Sequence, residues 1–477
     1  MRDVYGDQVD HSERAQPATT IDPTVHILRG GRIFGMPSTP PLDLCFQAGK
    51  LSDIRLAGTG TGQAVDISGA WVMPGAIDSH IHPVHSETIT SIGAVAPLAG
   101  VTTTLHHLYP NWEERPEQAA LRAAVEASGA SADYGFHVRI TGDSVGRSLD
   151  PLSTTPGVVS VKVFLAHTDP RVTCTLGQLY SVMCDAASAG LPVIVHAEFG
   201  DVITEELRRH PPSTLADLDA SRPSHLEAAC VQTVCSLARL TRSTVYVAHV
   251  SSPAGIKVAC QARSAGCSVL TETCPHYLLL DHGERLGGLG AVAPPLRDRT
   301  SVAGMRRAVR DGTVDVIASD HCGYGRADKR LNDVAGSSNG LPGVELLVPL
   351  LLDAAIEGQW MDPARMVEML CTGPARAFRL AGKGKLEVGY DADMLVVDTS
   401  ATTTVDSDRL RDQSWFSPYD GWSLRGAIRQ VWRRGELLRD DNAVFAGGGG
   451  MAVQSARCRS TAPPLSDGHP LPSEAPA

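Results

Sequence analysis

Gly75-Ala76-Ile77-Asp78-Ser79-His80-Ile81-His82, which follows the apolar run Trp71-Val72-Met73, decides how this chain is read. In an extended strand the side chains alternate faces, so His80 and His82 point the same way and can grip one ion together. Two imidazoles on one face make half a metal site. Taken alone, a His-x-His pair is equally well explained as two ordinary surface or core histidines. The rest of the chain changes that balance, because it supplies the missing ligands in a fixed rhythm.

At 477 residues the chain exceeds the size at which a single core stops growing, so one large domain and a smaller one are expected. With 43% hydrophobic and 20% charged residues it is globular rather than disordered. The formal net charge of -11, with no basic cluster on any predicted helix, argues against nucleic acid or an acidic membrane surface as partner. A small neutral substrate is the simpler expectation. No run of 18 apolar residues exists, and the polar start MRDVYGDQVDHSERAQ lacks the apolar core of a signal peptide, so a cytoplasmic location is expected. Eleven cysteines without a Cys-x-x-Cys fit reduced, buried thiols better than a disulfide framework. Packing is also the default role of Cys274 and Cys322.

Residues 1–23 and 446–477 are polar or rich in Gly, Pro and Ser and are expected to lack fixed structure. Short β-prone runs occupy residues 24–73, among them Val25-His26-Ile27-Leu28 and Gly31-Arg32-Ile33-Phe34. The same texture returns over 384–445, in Ala392-Asp393-Met394-Leu395-Val396-Val397 and Ala427-Ile428-Arg429-Gln430-Val431-Trp432. Pairing the two ends in one small β-sandwich leaves residues 74–383 as an insertion. That middle alternates β-branched runs with helical segments. The strand candidates are Ala76–His82, Thr102–Leu108, Gly135–Ile140, Val158–Ala166, Pro192–Ala197, Thr244–Val250, Cys267–Thr273 and Val314–Ser319. Helices such as Leu176–Ala189, Ser224–Thr241 and Pro253–Ala265 fall between them. The alternation predicts an α/β chain whose parallel strands close into a (β/α)8 TIM-type barrel. A doubly wound open sheet is the alternative, but the Gly-rich turn it normally carries after its first strand is missing.

In such a barrel, reactive residues sit at the carboxyl ends of the strands. His80 and His82 end the first, Lys162 lies within the fourth, His196 ends the fifth, His249 the sixth and Asp320 the eighth. Each closes or interrupts an apolar run, a costly place for an ionisable group unless it is paired or metal-bound. Singly, each reads as a hydrogen-bonded core residue; at five strands together they read as a site. Four imidazoles and a carboxylate suit two divalent ions, zinc first, with manganese, iron or cobalt as alternatives. Lys162 is the odd member, since an ammonium has no lone pair; carbamylated by CO2 it becomes an anionic oxygen ligand able to bridge two ions. An ion pair with Asp320 is its structural alternative.

The chain resembles the cyclic amidohydrolases of the amidohydrolase superfamily over roughly residues 24 to 440, and most of all their hydantoinase/dihydropyrimidinase branch. The resemblance is carried by Pro74 to His82, Lys162-Val163-Phe164-Leu165-Ala166, Val195-His196-Ala197-Glu198 and His249-Val250-Ser251-Ser252. Glu272-Thr273-Cys274-Pro275-His276-Tyr277-Leu278, Ser319-Asp320-His321-Cys322, Asn339 to Glu345 and Gly389-Tyr390-Asp391-Ala392-Asp393 continue it. It implies that His80, His82 and Asp320 hold one metal, that His196 and His249 hold the other, and that carbamylated Lys162 bridges them. It further implies that a hydroxide shared by the metals attacks the ring carbonyl while Asp320 shuttles its proton to the leaving nitrogen. Main-chain groups at Ala293 and Asn339 would hold the amide edge of the substrate.

Three departures stand out. Hydantoinases usually carry a tyrosine five residues after the lysine to donate to the developing oxyanion; here that position is His167, which can donate similarly with a different reach and pKa. The segment His82-Pro83-Val84-His85-Ser86-Glu87-Thr88 looks shortened, and it lacks the arginine that dihydroorotases place two residues after the second histidine. Finally, His106-His107 ends the second strand, where either residue could pack or line the mouth.

The expected function is metal-dependent hydrolysis of the ring amide of a hydantoin, dihydropyrimidine or similar cyclic imide. An allantoinase or dihydroorotase-like ring hydrolase is the alternative, and a non-catalytic scaffold relative a more distant one, since all six ligand positions are filled. Ser417-Pro418-Tyr419-Asp420-Gly421-Trp422 resembles the C-terminal segment of this branch, whose members form dimers or tetramers, so a homo-oligomer is expected.

Overall fold

The computed structural model describes residues 25–84, 87–441, 443–445 and 448–456. The N-terminal stretch expected to be irregular, the far C-terminus from 457, and His85 with Ser86 in the unusual loop lie outside the described residues.

Eight parallel strand positions form the barrel. The first seven are Ala76–His82, Val101–Leu108, Asp133–Arg139, Val158–Phe164, Val193–His196, Val245–Val247 and Val269–Thr273. Their residues are buried almost without exception, which is why they read as continuous β-branched runs rather than alternating ones. The eighth position differs from the single run Val314–Ser319 expected from the sequence. It is split into Val316–Ile317, which pairs with the seventh strand, and His321–Cys322, which pairs with the first and closes the ring. The break falls at Asp320, whose φ of 52° takes the chain through the left-handed region. A strand bent there cannot keep its ladder, and its side chain turns inward instead.

Helices cover the outside. Leu176–Ala189 starts at Thr175, whose side chain and Gln178 form a reciprocal cap, and stops at Gly190 in the left-handed conformation that favours glycine. Pro253–Ser264 and Arg299–Arg310 begin on the side chains of Ser252 and Asp298. Their apolar stripes pack on the outer faces of the strands in one large core. A second, smaller core fills the lower interior of the barrel, where Ile77, Leu105, Val159 and Ile194 meet Tyr246 and are closed from below by Phe378 and Val453.

Strands from both chain ends build the other domain. His26–Ile33 pairs with Leu42–Gln47 on one side and, past a bulge, with Trp71–Pro74 on the other. Trp71–Pro74 is followed in the sheet by Met394–Thr404 and Ser423–Arg433. The continuous sheet folds over its shared strand, so Leu44 and Phe46 from one half bury against Met394, Val396 and Trp432 from the other. The ring of Phe46 meets that of Trp432 edge-on at 5.4 Å.

The C-terminal stretch departs from expectation in one place. Residues 448–456 lack an apolar period, yet they lie against the barrel: Tyr134 donates its backbone N–H to Met451, Val453 donates back to Tyr134, and Val453 is buried. Backbone pairing and one apolar anchor fasten this segment, a pattern that periodicity does not register. The ten described cysteines are unpaired, as reduced thiols should be.

Candidate metal centre

The predicted ligands meet toward the carboxyl ends of the strands, His80 and His82 from the first strand, Lys162 from within the fourth, and His196, His249 and Asp320 at or just past the ends of the fifth, sixth and eighth. Asp320 Oδ1 lies 3.2 Å from Nε2 of His80 and 3.1 Å from Nε2 of His82, and those two nitrogens are 3.1 Å apart. His196 Nδ1 lies 3.1 Å from His249 Nε2, and the rings of His80 and His249 are 5.3 Å apart between centroids. Like Asp320, His249 has a positive φ, 37°, so two of the predicted ligands sit where their strands break off into left-handed turns.

Partners on the far nitrogens fix which atoms face the centre. Glu272 Oε1 accepts from His80 Nδ1 at 2.6 Å and from the backbone N–H of His249 at 3.0 Å, while Tyr246 Oη donates to its other oxygen at 2.7 Å. A carboxylate only accepts, so His80 carries its proton on Nδ1 and presents a bare Nε2 inward. Glu198 does the same for His196, accepting from Nε2 at 2.8 Å and leaving Nδ1 inward. Burial alone would raise the Glu198 carboxyl, but the Arg222 guanidinium, at 3.1 Å, holds it far below the usual carboxylate range. Tyr109 hydrogen-bonds Nδ1 of His82, and Arg139 stacks over the Tyr109 ring at 4.8 Å.

These contacts leave His80 Nε2 and His196 Nδ1 bare and facing inward beside the Asp320 carboxylate, a grouping that a cation would stabilise. Burial lowers His82 to about 4 and pushes His196 and His249 down, so they are neutral and able to ligate. Burial works the other way on Asp320, and its carboxyl is held below the usual carboxylate range only so far as the facing imidazoles carry or share a proton.

Lys162 is fully buried among these residues, its Nζ has no hydrogen-bond partner, and it lies 4.8 Å from the centre of the Phe164 ring. The ion pair with Asp320 considered from sequence is not formed. Burial draws its amine down to about 8. An orphaned, easily deprotonated amine beside inward-facing imidazoles is compatible with a place in a metal site.

The remaining candidates lie around this cluster. His167 is exposed at the rim; its ring meets Phe164 edge-on at 5.3 Å, and Phe164 is 5.7 Å from His196. Its Nδ1 accepts the Asp169 N–H at 3.0 Å, which makes Nε2 the protonated nitrogen. Ala293 and Asn339 belong to adjoining segments, since Gly340 N donates to Ala291 at 3.0 Å. The second segment runs beside Cys322, which donates to Leu341, two residues beyond Asp320. Tyr324 Oη donates to the carbonyl of Asn339 at 2.8 Å and Lys329 Nζ to that of Ala291 at 2.6 Å, so two side chains brace the segments from behind.

His106 and His107 separate as alternation requires: His106 turns outward to Thr104, and His107 turns inward against His80. Sequence reasoning missed Tyr109, Arg222 and Lys329 altogether. It quoted Glu198 and Glu272 within motifs without giving them a role, although each stands near a candidate ligand or at a strand end in an apolar setting.

A closed α/β barrel with such a histidine and carboxylate cluster at its mouth is the architecture of a metallohydrolase. The chain belongs to the Amidohydrolase family, whose sequence pattern it matches over residues 71–438. It is 33% identical to an allantoinase of Rubrobacter xylanophilus over 83% of this chain and 90% of that one. It is also 28% identical to a D-hydantoinase of Rhizobium radiobacter, over 87% and 95%. Among solved structures, the L-hydantoinase (dihydropyrimidinase) of Arthrobacter aurescens superimposes with a TM-score of 0.84 at 26% identity, over 90% of this chain and 99% of that one.

Proposed function

We propose that this chain is a metal-dependent hydrolase that opens the ring amide of a hydantoin, a dihydropyrimidine or a similar cyclic imide. The observation that carries the reading is the convergence of inward nitrogens of His80, His82, His196 and His249 with Asp320 around an unpartnered Lys162. In this reading His80, His82 and Asp320 hold one divalent ion, His196 and His249 hold a second, and Lys162 joins them as its carbamate. Two bound zinc-type ions supply Lewis acidity and a water acidic enough to ionise near neutral pH.

The protein's own groups then have distinct tasks. Asp320, already ionised, would take one proton of the attacking water and pass it to the ring nitrogen as the C–N bond breaks, while the water's other proton goes to solvent, so the products are a carboxylate and an N–H. His167 offers its Nε2–H to the carbonyl oxygen as negative charge gathers there. Main-chain groups of Ala293 and Asn339 hold the amide edge; the Asn339 carbonyl keeps a second lone pair beside the one used by Tyr324. The small ring is the partner this chemistry requires. A cytoplasmic location and assembly into dimers or tetramers belong to the same proposal, the latter read directly by sedimentation.

The test is a panel of hydantoins, dihydrouracil, dihydroorotate and allantoin given to zinc-loaded protein, with the carbamoyl acid product followed by mass spectrometry. Ring opening of one member class is expected, and failure on every ring refutes the reading. Allantoin is in the panel because of the 33% identity to an allantoinase. Dihydroorotate is expected to react poorly, because Val84 stands where a carboxylate-holding arginine would be needed.

A further inference from the structure

His107 has no part in the chemistry above, yet it is placed as if it should. It ends the second barrel strand and is 1% exposed. Its ring lies 4.2 Å from that of His80 and 4.8 Å from that of His82, inclined only 21° to the latter. Both of its ring nitrogens are buried, and neither has a hydrogen-bond partner. A neutral imidazole always presents one donor and one acceptor, and each left unmet in a protein interior costs on the order of 1–3 kcal/mol. The neighbouring His137 shows the ordinary solution, with Nδ1 bonded to Ser160 Oγ and Nε2 to the Ser79 carbonyl. His107 is packed against three imidazole rings and yet unsatisfied in polar terms.

We propose that His107 is a further ligand of the ion held by His80 and His82, an inference that rests on the metal-centre reading above. Ligand atoms of the three histidines already lie within 4.8 Å of one another. Ligand atoms at zinc distances of about 2.05 Å lie roughly 3–3.5 Å apart, so the His80 and His82 nitrogens are in range, His107 closes by a movement of its ring, and a shell wider than four keeps room for Lys162 and water. That ion would then be held by three imidazoles from two adjacent strands together with Asp320. Its hold on the protein no longer depends on the Lys162 carbamate, whereas the ion on His196 and His249 still does.

Cobalt titration of the metal-free protein, followed by visible absorption and by metal analysis after dialysis, tests this. Wild type is expected to take up two ions, and Lys162→Ala to keep one. In His107→Leu the affinity of one ion falls at least about tenfold, because losing a ligand is no milder than losing a supporting partner, and the cobalt bands shift. His107→Asp, which restores a ligand atom, is the second variant; it retains two ions with altered bands and covers the case in which leucine prevents folding. Two ions bound with unchanged affinity and unchanged bands in either variant overturn the role of His107 while leaving the metal centre standing. A wild-type protein that binds no ion overturns both.

Discussion

Glu272 Oε1 sits 2.6 Å from His80 Nδ1 and accepts the backbone N–H of His249 as well, so one carboxylate ties together the ligands proposed for two different ions. Glu272→Gln keeps the shape but turns one acceptor oxygen into a donor. Metal affinity is expected to fall about 10–100-fold, as for other partners of ligating histidines. Equilibrium dialysis against graded zinc measures it; unchanged retention shows that the carboxylate does not orient His80.

Lys162 gives a pH prediction. Only the neutral amine reacts with CO2, and burial has brought this amine from an ordinary 10.5 to about 8. At a fixed concentration of dissolved CO2, activation of metal-free protein by zinc is therefore expected to speed up as pH rises toward about 8 and to level off above it, with no further rise near 10.5. Lys162→Ala loses most activity and regains part of it with short carboxylic acids. A variant with full rate and both ions shows that the residue is no bridge.

His167 can be separated from a merely structural residue by its hydrogen. His167→Phe keeps the edge contact with Phe164 but has nothing to donate, and a drop of about 10²–10³ in kcat with little change in KM is expected. His167→Tyr is expected to recover much of the rate and to flatten any acid limb due to the imidazole. Equal kcat in all three proteins removes His167 from the reaction.

Arg222 faces Glu198 within the protein, 7% and 2% exposed respectively. Arg222→Met leaves a buried carboxylate whose remaining partner is His196, and a loss of about 3–5 kcal/mol in urea unfolding of metal-free protein is expected. A loss under about 1 kcal/mol shows that water or a rearranged neighbour replaces the guanidinium.

The proposed ligands were legible because each closes or interrupts an apolar run, and alternation alone puts His80 and His82 on one face; it sets His106 and His107 on opposite faces without saying which of them points inward. Their supports were not. Glu198 and Arg222 are 24 positions apart, Glu272 is 192 from His80, and nothing local says which neighbouring strand a carboxylate will lean toward. The eighth strand was read as one run because Val316 to Ser319 is apolar enough to continue. The reversal at Asp320 depends on a left-handed residue that no composition rule demands there. Met451 and Val453 escaped for the opposite reason, since backbone pairing to Tyr134 needs no particular side chains.

Phe378 and Val453 stopper the barrel beneath the proposed metal ligands, with the Phe378 ring tilted against Tyr246 at 5.0 Å and His137 at 4.8 Å. Among the described residues, the base of the barrel is thus closed. Whatever enters leaves through the same doorway, bearing a fresh carboxylate past the very groups that admitted it. Departure and arrival must take turns, and any bulky substituent on a tolerated ring has to trail outward toward the entrance.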